Sequence, residues 1–133
     1  GGYVVDDLNL AQMLTSQGKL EEARKVLLGS FKKNPKKRYQ MLQGLLRVND
    51  LRVGKARLPS EKLTIQQESL GWLLEEQKMR PRTFTLYRIG KQQLAMGREK
   101  EALKYFKKAY ARAPKHAFYR SAAATFIKHI EGS

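Results

Sequence analysis

The chain has no cysteine. That excludes disulfides and thiolate metal sites, and it fits a reducing compartment, so a cytoplasmic location is the expectation. Proline is scarce, at four residues in 133. Pro35, Pro59, Pro81 and Pro114 each fall between apolar periodic stretches, where proline separates helices rather than kinking one. No apolar run approaches the length of a membrane span, because Lys, Arg, Glu or Gln interrupts every candidate within a few residues. The opening Gly1-Gly2-Tyr3-Val4-Val5-Asp6-Asp7 lacks the charged and then apolar pattern of a secretory leader. Aromatic residues are unremarkable at 9%. Acidic residues are few, 12 against 27 Lys and Arg, which leaves a formal charge of +15.

What is present belongs to a folded protein. A hydrophobic content of 41% with 29% charged residues argues against disorder, and 133 residues make one domain. The positive charge is uneven. Residues 1–30 carry three basic and four acidic groups, and residues 31–58 carry nine and one. Residues 59–78 carry two and four, and residues 79–133 carry thirteen and three. Two basic blocks therefore flank a near-neutral segment. Such surfaces attract polyanions, although many of these cations also serve as an ordinary solvated helix face.

The most specific signal is internal repetition at an offset of 79 residues. Gly18 and Gly97 are related by it, as are Glu22 and Glu101, Ala23 and Ala102, Lys25 and Lys104, and Pro35 and Pro114. The pairs Leu10/Ile89, Leu27/Phe106, Ser30/Ala109 and Phe31/Tyr110 keep size and polarity at the same offset. Each copy reads as two helices and a turn. Leu8 to Leu14 has helical spacing and ends at Gln17-Gly18, where glycine suits a left-handed cap. Leu20, Ala23, Val26, Leu27 and Phe31 form one apolar face of a second helix, which Asn34-Pro35 closes. The later copy repeats this plan, with helices over 83–95 and 100–113 around Met96-Gly97. Ala23 and Ala102 are expected where paired helices cross closely.

The stretches from Gly18 to Pro35 and from Gly97 to Pro114 resemble the tetratricopeptide repeat, whose units are 34 residues long. Ala11 and Gly90 match the small position of the first helix. Asp7 and Gln93 depart from the pattern, standing where the family often has Trp and Tyr. The resemblance implies an all-α helical solenoid of about three helix pairs, stacked as a right-handed superhelix, with a C-terminal capping helix. The repeats are expected over 4–37, 38–82 and 83–116, and the cap over 117–130, all within one domain. The middle unit is longer than the family period. Its first helix is expected over Arg38–Asn49, with residues 50–60 as an insertion that leaves Val53 to Pro59 as an exposed loop. Its second helix is expected from about Glu61 to Lys78, capped by Ser60, with Thr64 the alternative start.

No catalytic set converges in the sequence, and the expectation is a non-catalytic protein without cofactor or metal. Gly18-Lys19, Gly54-Lys55 and Gly90-Lys91 look like the end of a phosphate loop. The required first glycine is replaced in turn by Met13, Asn49 and Thr85. His116 and His129 are thirteen residues apart with no nearby carboxylate pattern of a metal site, and read as solvated. Glu75-Glu76, beside Trp72, reads as the polar side of a helix.

Recognition of a partner remains. In the family the first helices of the repeats line a concave groove. The resemblance puts Phe84, Tyr87, Arg88 and Lys91 there from the third repeat. It adds Val5, Leu8, Asn9 and Gln12 from the first, and Tyr39, Leu42, Gln43 and Leu46 from the second. Phe118, Ser121, Thr125 and Lys128 come from the closing helix. Arg88 and Lys91 are similar to the basic part of a clamp for peptide carboxylates, and helical spacing equally allows Phe84 and Tyr87 to be core. The expected partner is an acidic peptide or protein. Single-stranded RNA or another polyanion is the alternative, supported by five cations between Phe31 and Tyr39.

Overall fold

The computed structural model describes residues 4–132, with side chains from Asp7 onward, so Val5 as a groove position lies outside the described side chains. The described residues form seven α-helices and one 3-10 turn, and no strand occurs among them. The helices are α1 (Val4–Ser16), α2 (Leu20–Lys33), α3 (Arg38–Lys55), α4 (Pro59–Met79), α5 (Thr83–Ala95), α6 (Glu99–Arg112) and α7 (Phe118–Glu131). The 3-10 turn, Pro35–Lys37, joins α2 to α3. None of the helices is long and apolar enough to cross a membrane.

The repeat offset reappears in the backbone. Gly18 and Gly97 have φ of 79° and 78°, the left-handed region that glycine enters without strain. At the first turn Lys19 N–H donates to Leu14 C=O at 2.9 Å and Gly18 N–H to Thr15 C=O at 3.0 Å. At the second, Arg98 N–H donates to Gln93 C=O and Gly97 N–H to Leu94 C=O, both at 2.9 Å. The same closure thus satisfies the last carbonyls of α1 and α5. Acidic residues open α2 and α6 and basic ones close them, which complements both helix dipoles.

The chain falls into two compact units, residues 1–72 and 73–133, so the boundary lies inside the expected middle repeat. In the first unit α1, α2 and α3 pack in succession, and α1 also touches α3. Their core holds Ala11, Leu14, Leu20, Ala23, Leu27, Met41, Leu45 and Val48, with Phe31 meeting Trp72 edge-on at 5.2 Å between ring centroids. Asp7, at a position where bulk was expected, instead accepts a hydrogen bond from the Ser30 hydroxyl. In the second unit α5, α6 and α7 pack the same way. Ala102 and Phe106 are completely buried there. A Cβ on Gly90 would lie 2.9 Å from the Phe106 ring, so the small residue expected in the first helix is required by a ring laid directly on the backbone.

The expected central loop needs correcting. Arg38–Asn49 proves to be only part of α3, which continues to Lys55, and α4 already begins at Pro59. Three residues, Ala56 to Leu58, connect them. The extra length therefore extends two helices. Asp50, Leu51, Arg52 and Val53 contain no helix breaker, and Arg52 is held by Glu21 at 2.8 Å. Pro59 stands at the first helical position, where its missing N–H costs nothing, so Ser60 lies inside the helix and is not its cap.

Candidate partner-binding faces

Each unit presents one face built from its first and third helices. In the first unit, α1 and α3 enclose an open groove of about 710 Å³, with Leu8, Asn9, Gln12, Tyr39 and Gln43 among its lining. Arg47 and Leu51, one and two turns further along α3, extend the lining and were not foreseen. The walls are more apolar than polar, with Leu8, Leu27 and Leu51 beside the amide groups of Asn9 and Gln12. Leu42 and Leu46, expected beside Tyr39 and Gln43, are instead buried, at 0% and 7% exposure. α3 packs on two sides, so its apolar positions outnumber those of a one-faced helix.

The corresponding face of the second unit is aromatic. Tyr87 is buried and sits among Phe84, Phe106, Tyr119 and Phe126, with centroid distances of 5.9–6.3 Å. Burial pushes its phenol above the ordinary value, so it stays neutral. Phe84 is half-buried and meets Phe118 edge-on at 5.7 Å. Phe118 itself is 71% exposed. Lys91 is exposed, with its ammonium 5.7 Å from the Tyr87 ring centroid. On α7, Ser121, Thr125 and Lys128 are exposed, and the Thr125 hydroxyl donates to Ser121 C=O at 3.2 Å.

Arg88 is differently placed. Its Nη1 donates to both carboxylate oxygens of Glu76, at 2.8 and 3.1 Å, and its guanidinium lies 5.7 Å from the Phe84 ring centroid. Glu76 is fully buried, and also accepts from the Thr85 hydroxyl at 2.9 Å. Arg82 reaches the same carboxylate at 3.5 Å. The reading of Glu75-Glu76 as the polar side of a helix therefore fails for Glu76, which is a buried ion-pair partner. Its partners lie six, nine and twelve residues onward, beyond any i+3 or i+4 pattern within α4. With Arg88 engaged, Lys91 and Lys128 are the expected cations that remain exposed on this face; among the described residues neither has an acidic partner.

A second ionic cluster in the first unit is built by the same helix. Glu68, eight residues before Glu76 on α4, accepts from Arg24 Nε at 3.1 Å and Asn49 Nδ2 at 2.8 Å, with Arg52 at 3.5 Å. Burial pushes its carboxyl up, but the bonds from Arg24 and Asn49 and the two guanidinium charges outweigh that and hold it below the ordinary value. These clusters anchor helices. Among the described residues no group of His, Asp and Glu converges as a metal site.

A search of curated proteins finds no match to the chain. Residues 85–116 match the model of the Tetratricopeptide repeat family. That span starts in α5, takes in Tyr87, Arg88 and Lys91, passes through the Gly97 turn and all of α6, and ends just before α7. Residues 85–116 are thus similar to a tetratricopeptide repeat, in agreement with the packing of α5 and α6 and with the turn geometry shared at the 79-residue offset.

Proposed function

We propose that the chain binds an acidic peptide or protein segment on these helix faces, without catalysing a reaction on it. The observation that carries this reading is Phe118, a large apolar side chain left 71% exposed against Phe84, with the exposed Lys91 and Lys128 on the same two helices. An apolar side chain of the partner would cover the Phe118 edge, and a carboxylate would meet the ammonium groups. Interface energy concentrates in a few such anchors, so truncating a central aromatic typically costs 2 kcal/mol or more, about 30-fold in affinity. The groove of the first unit supports the reading independently. Asn9 and Gln12, both exposed, offer donors and acceptors suited to the backbone of an extended peptide.

The test is titration of wild type, Phe118→Ala and Lys91→Ala/Lys128→Ala against Asp- and Glu-rich peptides carrying one aromatic residue, and against their Asn and Gln counterparts. Roughly 30-fold weakening by Phe118→Ala is expected, with preference for the acidic set lost in the lysine variant. Equal affinity for acidic and neutral peptides would refute the acidic partner. Unchanged binding in both variants would refute the site.

A further inference from the structure

The outer side of α6 carries a feature that peptide binding does not use. Lys100, Lys104, Lys108 and Arg112 recur every four residues and are all exposed. At 1.5 Å rise per residue they form one row about 18 Å long. Repulsion between like charges at this spacing disfavours the helix, so the row is not a device for stability. Only Lys104 has an acidic partner among the described residues, Glu101 at 3.3 Å, and both are exposed. The 79-residue repeat supplies an internal comparison. The matching positions on α2 are Glu21, Lys25, Gly29 and Lys33, one acid and two cations, so the row is not a property of the repeat as such.

Two tyrosines flank the row, on the borders between it and the buried side of α6. Tyr105 lies under the Lys108 ammonium, 5.5 Å away, and Tyr110 is 38% exposed with the Arg120 guanidinium 4.3 Å from its ring centroid. We infer that this face of α6 binds the phosphodiester backbone of single-stranded nucleic acid. A single row of cations tracks one strand, and its four charges, spaced about 6 Å apart, can each meet one backbone phosphate. The flanking tyrosine and arginine planes give bases a surface to stack on. A bilayer is the poorer fit, because the row contains no large apolar side chain to insert.

The test uses the whole chain and an unstructured oligouridylate, with binding followed by fluorescence anisotropy between 50 and 200 mM salt. Each phosphate contact on a single strand contributes about 0.7 to the slope of log affinity against log salt. K100Q/K104Q/K108Q/R112Q should therefore lower that slope by about 2.8. The wild-type advantage should shrink about fifty-fold across this salt range. K19Q/K25Q/R57Q/K62Q, which removes the same charge from scattered exposed positions, should lower it far less. The α6 variant keeps its helical circular dichroism and binds acidic peptide as wild type does, which separates this inference from the groove reading. A wild-type slope below about 2, equal effects of the two variants, or preference for duplex or for phosphatidylserine vesicles would each overturn it.

Discussion

The pair between Glu76 and Arg88 gives the sharpest test of how the second unit is held together. Glu76 is completely buried on α4, and Arg88 on α5 is about a quarter exposed. Removing one member of a buried pair typically costs 3–5 kcal/mol, chiefly because the other charge is left uncompensated. After Arg88→Ala, the Thr85 hydroxyl at 2.9 Å and Arg82 at 3.5 Å still face the carboxylate. The expected loss is therefore about 2–4 kcal/mol, toward the lower part of that range. Glu76→Gln should cost less, about 1–2 kcal/mol, since Arg88 can turn to water and the amide still accepts from Thr85. Replacing both, as Glu76→Leu with Arg88→Met, leaves no buried charge and should come within about 2 kcal/mol of wild type. Urea denaturation followed by far-UV circular dichroism measures all of these proteins, and Glu76→Leu and Arg88→Met made singly complete the cycle that yields the coupling energy. A loss below about 0.5 kcal/mol for Arg88→Ala, or a double variant as unstable as the sum of the singles, would refute the buried pair. The same result bears on binding work, because an Arg88 variant that loses a partner has first lost stability.

Ala102→Leu forces a branched side chain into a site with no exposure, and should lower stability by about 1–3 kcal/mol by overpacking; an unchanged denaturation midpoint would contradict that packing. Leu51→Pro discriminates the extended α3 from a loop: Leu51 is 42% exposed, so little packing is lost, and a cost of about 3 kcal/mol or more would come from the helix backbone. Tolerance of that proline would restore the loop. The carboxyl of Glu68 is held below its ordinary value of 4.5, so its contribution is present above that pH and fades as pH falls through the lower folded value. The stability gap between wild type and Glu68→Gln, followed by thermal melting, should therefore narrow below about pH 4.5. A gap that stays constant from neutral pH through this window would show that Glu68 does not stabilise as a carboxylate.

Much of this architecture is carried by local signals. Gly18 and Gly97 announce left-handed caps, Pro35 and Pro114 stop α2 and α6, and the spacing of Leu20, Ala23 and Leu27 marks a buried stripe; each acts within one or two helical turns. The continuation of α3 to Lys55 was missed because length beyond a family period does not say whether added residues coil or continue a helix. The absence of a breaker between Asp50 and Val53 was the available clue, and Pro59 at a first helical position was the other. The exposed faces were legible to the extent that register defines them. Leu8, Asn9, Gln12, Tyr39 and Gln43 line one groove because α1 and α3 each turn that side outward, whereas Leu42 and Leu46 share the register but are drawn into the core.

The state of Arg88 was not legible at all, because it depends on which acid lies across from it. Nothing at i+3 or i+4 distinguishes Glu76 from Glu75 beside it; only the packing of α4 on α5 buries one and leaves the other half-exposed. The basic residues of the second unit make the same point in reverse. Composition marks residues 79–133 as basic without separating a cation that holds a helix from one that faces a partner. Arg88 belongs to the first kind and Lys91 to the second, three residues apart on one helix. Charge counted along a sequence therefore overstates what a partner meets, and the exposed row on α6 stands out because three of its four members have no acidic partner among the described residues.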